Sequence, residues 1–306
     1  MLFKKLTKYE PTLSFNVLKD GFYGDYYKPS INKFENKVMV IFGGAAGSYT
    51  LTKMVAERFY EAGMNVLALA YRDKEGTPSG LHGIPIEFVE KACKWCKENV
   101  ASNVGVWGIS LGGQLSLITG SIYSDLISCV VAINPMNYSQ QGLKNFKGMK
   151  LLDCACFTYK GKDLPYYKFK QNNKEFHKQI KDDSFKHHEF KYLADSYKKE
   201  ILQMDDDKDY IIKVENIKGP VLLLSADDDC LLPSKLICEK IYDRLDKHHF
   251  NYVYKHLNYK PASHYLLPAK PLTTKMFQIE RKYPKKCDES RDKSWQDTLK
   301  FLKEEW

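Results

Sequence analysis

The sequence predicts an α/β fold with a doubly wound, mostly parallel sheet. Continuous apolar runs such as KVMVIF (37–42) and NVLALA (65–70) are typical of strands that are covered on both faces. Stretches with helical spacing separate such runs, at 50–62 and 84–98. Strands that alternate with helices favour a parallel sheet. The 306 residues, 43% of them hydrophobic, suffice for one large domain over 1–306.

The other elements continue this alternation on both sides of one long interval. Residues 14–29 alternate and carry glycines, which predicts two antiparallel strands that enter the sheet. The remaining predictions are strands in VGVW (104–107), SCVVAI (128–133), PVLLLSADDD (220–229) and 250–256, and helices over 234–246 and 293–304.

The long interval runs from about Asn134 to Gly219 and shows no strand pattern. It is rich in Lys, Tyr, Asp and His, and it precedes the penultimate predicted strand. We expect a helical lid over about 136–215 that shapes specificity. Its individual lysines are expected to be ordinary surface charge, although the segment as a whole could attract an anionic ligand.

A candidate nucleophile follows the strand VGVW. Gly108-Ile109-Ser110-Leu111-Gly112 matches G-x-S-x-G, between an apolar strand and the apolar helix QLSLITG. In such a turn the serine backbone is strained, and side chains two residues before and after it would collide. The turn lifts the hydroxyl clear of the sheet and directs the N–H of Leu111 at a substrate carbonyl oxygen. The pattern predicts an α/β-hydrolase fold with Ser110 as nucleophile.

A serine nucleophile requires a base and an orienting carboxylate, in the chain order Ser, Asp or Glu, His. His264 lies in a loop after the last predicted strand and is the expected base. His256 falls within that strand, and His248 and His249 precede it. The expected acid follows the strand PVLLLSA, where Asp229 is preferred and Asp228 is the alternative.

The second N–H for an oxyanion comes from the loop after KVMVIF. In Gly43-Gly44-Ala45-Ala46-Gly47, small residues let the backbone approach a ligand, and Ala45 or Gly44 would donate. The loop lacks the lysine of a P-loop and the spacing of a dinucleotide fingerprint. Acyl transfer by a serine, a histidine and an aspartate needs no cofactor, so none is expected.

Charge and cysteine usage restrict the remaining possibilities. The net charge of +9 would steer anionic partners, but the site predicts a small-molecule substrate and no nucleic acid. No apolar run is long enough for a membrane span, and the basic start lacks the apolar core of a signal peptide. The eight cysteines do not form a disulfide framework, which favours a reducing cytoplasm. Cys93, Cys96, Cys154 and Cys156 lack zinc-site context, so no metal is expected.

Four segments carry a resemblance to a known family. FGGAAGSY (42–49), GISLGGQLSL (108–117), VENIKGPVLLLSADDDCLLPS (214–234) and ASHYLLPAKP (262–271) resemble the C-terminal catalytic domain of the acyl-CoA thioesterase and bile acid-CoA:amino acid N-acyltransferase family. The similarity spans roughly residues 14–280. In the family's acid segment, the catalytic aspartate stands four residues before the proline position; Pro233 then implies Asp229.

The resemblance implies hydrolysis of an acyl thioester, with coenzyme A as the expected leaving group. Family members that transfer to amino acids use cysteine, whereas Ser110 resembles the thioesterases and favours water as the acceptor. About 36 residues precede the first core strand, so the family's N-terminal β-sandwich domain is expected to be absent. The alternatives are a carboxylesterase or peptidase of the dienelactone hydrolase-like group, and a non-catalytic binding module.

Overall fold

The computed structural model describes residues 6–144, 150–170, 174–186, 191–270 and 272–306. Its strands are β1 (Leu13–Phe15), β2 (Tyr23–Tyr27), β3 (Lys37–Phe42), β4 (Asn65–Ala70), β5 (Ile84–Pro85), β6 (Asn103–Ile109), β7 (Cys129–Ile133), β8 (Gln141–Leu143), β9 (Leu151–Ala155), β10 (Phe157–Tyr159), β11 (Lys162–Asp163), β12 (Val221–Ala226) and β13 (Tyr254–Tyr259). Its α-helices are α1 (Val17–Asp20), α2 (Tyr49–Glu61), α3 (Glu87–Asn99), α4 (Leu111–Ile122), α5 (Lys174–Lys186), α6 (Lys191–Leu202), α7 (Ser234–Lys247), α8 (Gln278–Lys282) and α9 (Pro284–Glu304). Short 3-10 helices cover Val214–Asn216 and Leu272–Met276.

Eight strands form the central sheet in the order β1-β2-β4-β3-β6-β7-β12-β13. The six strands from β4 to β13 run parallel, and β1 and β2 join antiparallel at one edge. The prediction of a mostly parallel, doubly wound α/β-hydrolase sheet is confirmed. The strand order reverses between β3 and β6, so the loops at their carboxyl ends flank a crevice where ligands of open α/β sheets bind.

Apolar residues of the strands supply two cores, one on each face of the sheet. In β3, Val40 packs with Leu115 of α4 in one core, and Ile41 packs with Phe59 of α2 in the other. Both strand residues are fully buried. Because successive side chains point to opposite faces, a strand covered on both faces needs an unbroken apolar run.

The interval between β7 and β12 contains both strands and helices. Helices α5 and α6 occupy its second half, but β8 to β11 precede them, so the expectation of an interval without strands was wrong. These strands have two to five residues, too few to show a periodic pattern. They pair locally, β8 with β9 and β10 with both β11 and β5.

Two boundaries near the carboxyl terminus also differ from the predictions. Strand β13 spans Tyr254–Tyr259, shifted toward the carboxyl terminus from the predicted 250–256. Helix α9 begins at Pro284, well before 293, with the proline in its first turn, where no backbone N–H donor is needed. Among the described residues, no helix has both the length and the apolar character to cross a membrane.

Candidate active site

Ser110 occupies a strained turn between β6 and α4. Its backbone angles are φ 57° and ψ −120°, outside the regions that side-chain-bearing residues favour. A Cβ atom on Gly108 would lie 2.1 Å from the carbonyl oxygen of Gly112, and one on Gly112 would lie 2.5 Å from that of Gly43. The backbones approach so closely that only glycine fits at either position. These contacts account for the G-x-S-x-G spacing.

The loop after β3 passes close to Ser110. A Cβ atom built on Gly44 would lie 3.2 Å from the Cβ atom of Ser110 and 3.8 Å from its Oγ. The Tyr71 hydroxyl donates a 2.8 Å hydrogen bond to the carbonyl of Gly43. The Arg72 guanidinium donates to the carbonyls of Ala45 and Gly47, at 2.5 and 3.2 Å. The loop is therefore held against the serine turn by side chains that follow β4.

Asp229 and His264 form a buried pair. The Nδ1 atom of His264 lies 2.7 Å from Oδ2 of Asp229, and the two side chains are 5% and 1% exposed. The Ser234 hydroxyl donates to the same Oδ2 atom. The backbone N–H groups of Leu231 and Leu232 donate to Oδ1, at 2.9 and 3.1 Å. These hydrogen bonds hold the carboxylate in one orientation against the imidazole.

The two neighbouring aspartates point elsewhere. Oδ2 of Asp228 accepts a 3.2 Å hydrogen bond from the N–H of Ala262. Asp227 forms an ion pair of 2.7 Å with Lys260, and this contact lowers the pKa of the Asp227 carboxyl below its usual range. Of the three consecutive aspartates, it is therefore Asp229 that contacts His264.

Asn134 holds the backbone of the histidine loop, and sequence reasoning missed it. Its side-chain amide donates a 2.9 Å hydrogen bond to the carbonyl of His264, and its Oδ1 accepts one of 2.9 Å from the N–H of Ala226. The residue is fully buried, with a positive φ of 44°. A polar residue directly after the buried strand SCVVAI, at the carboxyl edge of the sheet, was the available signal.

The hydroxyl of Ser263 supports the same loop. It donates a 2.6 Å hydrogen bond to Oε1 of Glu280, which also forms an ion pair of 2.5 Å with Arg291. All three side chains are buried. Helices α8 and α9 thereby attach the histidine loop to the rest of the fold.

Ser110 and His264 line one pocket of about 80 Å³. Ala45 and Leu111, two of the expected oxyanion donors, line it as well, whereas Gly44 lines a neighbouring pocket. The remaining walls come from the carboxyl edge of the sheet and from the interval before β12. They are formed by Leu81, Met136, Gln140, Leu143, Leu193, Tyr197, Leu231 and Leu232.

The neighbouring pocket is larger, about 390 Å³, and more polar in character. The loop after β3, the start of α2 and residues 69–74 line it. Arg72 and Lys74 bring positive charge to its wall, and Asp73, which forms an ion pair with Arg72, brings one negative charge. The ammonium group of Lys74 lies 5.1 and 5.6 Å from the ring centroids of Tyr49 and Tyr23. The loop that approaches Ser110 thus also borders a pocket with cationic side chains.

Comparison with known families identifies the chain. The family model described as "BAAT / Acyl-CoA thioester hydrolase C terminal" matches residues 84–306, a range that includes Ser110, Asp229 and His264. The chain belongs to this family. The resemblance to this family is thereby confirmed: three of the four sequence segments lie within the matched range, whereas FGGAAGSY (42–49) lies before it.

One curated relative of this acyl-CoA thioester hydrolase family member matches over part of its length. The peroxisomal succinyl-coenzyme A thioesterase of Mus musculus is 25% identical over 215 residues, which cover 67% of this chain and 44% of that protein. The chain thus matches less than half of the length of that relative.

Solved structures share the fold of this family member. The Pyrococcus furiosus esterase Pf2001 superposes with a TM-score of 0.50 at 16% identity, covering 100% of this chain and 99% of that one. The α/β-hydrolase MGS-M1 from a deep-sea metagenome library gives a TM-score of 0.50 at 15% identity, covering 92% and 97%. At these identities the likeness concerns the fold alone.

Other polar groups of this family member lie apart from the site. Cys93 and Cys96 are buried in the core, and burial raises the pKa of both thiols. No three His, Cys, Asp or Glu side chains converge as a metal site within the described ranges. Ser225 and His256 make a Ser–His contact of 2.7 Å, but Ser225 is fully buried and lines neither pocket described above.

Proposed function

We propose that this chain is a serine hydrolase that cleaves an acyl thioester of the acyl-CoA type through an acyl-enzyme intermediate. One observation carries the proposal: His264, paired with Asp229 at 2.7 Å, lines the same pocket as Ser110 on its strained turn. A base that is oriented by a carboxylate and shares a pocket with a serine hydroxyl fits acyl transfer. Family membership supports the thioester as the bond that is cleaved.

In the proposed mechanism, Nε2 of His264 removes the proton of the Ser110 hydroxyl as Oγ attacks the thioester carbonyl. The N–H groups of Leu111 and Ala45 stabilise the oxyanion. The tetrahedral intermediate collapses, the C–S bond breaks, and the proton on His264 passes to the departing thiolate. Water then attacks the acyl-enzyme, with His264 taking its proton and returning it to Oγ, while Asp229 stabilises the imidazolium.

The leaving group is proposed to extend into the larger pocket beside the loop after β3. Arg72 there is paired with Asp73, so Lys74 is the cation that suits the phosphate groups of coenzyme A, since a cation in a cleft raises the local concentration of an anionic substrate. We expect Lys74→Gln to raise KM for an acyl-CoA several-fold and to leave KM for a p-nitrophenyl ester unchanged. Lys300→Gln, on the exposed face of α9, is the matched control.

Steady-state assays with hexanoyl-CoA and p-nitrophenyl hexanoate test the proposal. Turnover of hexanoyl-CoA that depends on Ser110 is the expected result. Good turnover of the ester with an inert thioester would instead indicate the carboxylesterase or peptidase alternative. We further propose that 1–306 forms a single hydrolase domain. We also propose that it works in a reducing cytoplasm, because no disulfide joins the cysteines of the described residues.

A further inference from the structure

The pocket that contains Ser110 and His264 is small. Its volume of about 80 Å³ compares with about 390 Å³ for the pocket on the leaving-group side. Since about 10–15 Å³ is the least space that holds one water molecule, a pocket of this volume accommodates only a small group. An acyl chain of sixteen carbons would not fit without displacing the walls.

The walls of this pocket are apolar. Leucines and Met136 make up most of the lining, and the described lining residues include no lysine or arginine. The polar groups other than Ser110 and His264 are those of Gln140 and Tyr197. A carboxylate buried without a cationic partner loses its hydration and gains little in return. The lining formed by the described residues therefore disfavours a dicarboxylic acyl group such as succinyl.

Helix α6 sets one boundary of the pocket. Leu193 and Tyr197 lie one turn apart on this helix and both line the pocket. Leu193 is 5% exposed, so its side chain is packed against the wall. Truncation of this side chain would lengthen the space available to an acyl chain, since core cavities collapse only partly.

We infer that the acyl group of the substrate is short and uncharged, an aliphatic chain of about four to eight carbons, and that Leu193 limits its length. The inference rests on the proposed function and names the acyl class that the site accepts. Dicarboxylic and long-chain acyl groups are then expected to be poor substrates.

The test compares kcat/KM of the full chain for butyryl-, hexanoyl-, succinyl- and palmitoyl-CoA. We expect hexanoyl-CoA to exceed both succinyl- and palmitoyl-CoA by at least about 100-fold, with butyryl-CoA close to hexanoyl-CoA. Equal or better turnover of succinyl-CoA, or of palmitoyl-CoA, overturns the inference.

Variants at Leu193 test whether this side chain limits the length of the acyl group. Leu193→Ala is expected to shift the optimum toward octanoyl- and decanoyl-CoA, and Leu193→Met, of similar volume, to keep it near hexanoyl-CoA. An unchanged chain-length profile in Leu193→Ala would contradict the role of Leu193.

A parallel series of p-nitrophenyl butyrate, hexanoate and palmitate separates this inference from the proposed function. If all acyl-CoA compounds are inert while the esters retain a short-chain preference, thioester cleavage fails but the acyl class holds. If the esters show no such preference either, the acyl class fails as well.

Discussion

The side-chain amide of Asn134 donates a 2.9 Å hydrogen bond to the backbone carbonyl of His264, 130 residues away in the chain. The same side chain accepts a hydrogen bond from the N–H of Ala226, the last residue of β12. Asp229 follows that strand by three residues. One buried amide therefore connects the segment that carries the proposed acid to the loop that carries the proposed base.

Removal of this amide is expected to reduce turnover through positioning. Asn134→Ala leaves the carbonyl of His264 and the N–H of Ala226 buried without partners, at a cost of about 1–3 kcal/mol each. Displacement of the imidazole should lower kcat by about 10- to 100-fold with little change in KM. Initial rates with p-nitrophenyl hexanoate and urea unfolding measure the two effects.

The matched control for Asn134 is Asn65→Ala at the start of β4. Asn65 is also buried, and its Oδ1 accepts a 2.8 Å hydrogen bond from the Tyr26 hydroxyl at the opposite end of the sheet. We expect the Asn65→Ala variant to be less stable than the wild type and to keep the wild-type kcat. A similar loss of kcat in both variants would refute a positioning role for Asn134.

Substitution of the aspartates distinguishes the acid from its neighbours. Asp229→Asn keeps the shape of the side chain but offers the wrong hydrogen-bonding group to Nδ1 of His264, so kcat should fall by about 10⁴-fold. Asp228→Asn loses a hydrogen bond to a backbone N–H and should retain most of its activity. Comparable losses in the two variants, measured as kcat at pH 8, would argue against Asp229 as the orienting carboxylate.

Most of the central sheet was predictable because buried parallel strands require unbroken apolar runs. The runs at β3 and β4 coincide with the observed strands Lys37–Phe42 and Asn65–Ala70. Strands β8 to β11 were not predictable, because segments of two to five residues with mixed burial show no periodicity. These strands form through pairing with one another and with β5, which depends on the tertiary fold.

The candidate site divides in the same way. Sequence spacing predicted Ser110 and His264, because turn chemistry and chain order restrict which residues can occupy those positions, and it preferred Asp229 with Asp228 as the alternative. The contact between Asp229 and His264 distinguishes among three adjacent aspartates that pattern alone left open. Asn134 and the pocket beside Arg72 depend on contacts between segments that are distant in the chain, so local patterns did not reveal them.

His256 predicts a pH dependence of stability that is separate from catalysis. Burial, with a smaller contribution from Lys235, lowers the pKa of its imidazole below the ordinary 6.5. The unfolded chain therefore binds a proton at His256 more readily than the folded protein does. The contribution of His256 to the free energy of unfolding is fully present above pH 6.5 and is lost as the pH falls through the lowered pKa. His256→Gln removes this contribution.

Urea unfolding between pH 7.5 and 5 measures the effect of His256. The free energy of unfolding should fall less steeply in His256→Gln than in the wild type, so that the two curves approach each other at low pH. The exposed His249 provides the control, because Asn tolerates its positive φ of 49° and His249→Asn should keep the wild-type slope. If the free energy of unfolding depends on pH equally in wild type and His256→Gln, His256 does not cause the pH dependence.

The most direct test of the central claim is mass spectrometry after treatment with a fluorophosphonate, a reagent that phosphonylates activated serines. We expect one adduct per chain, located on Ser110 in the proteolytic digest, and no adduct on Ser110→Ala. Folded wild-type protein without an adduct, or equal labelling of wild type and Ser110→Ala, would contradict the assignment of Ser110 as the nucleophile.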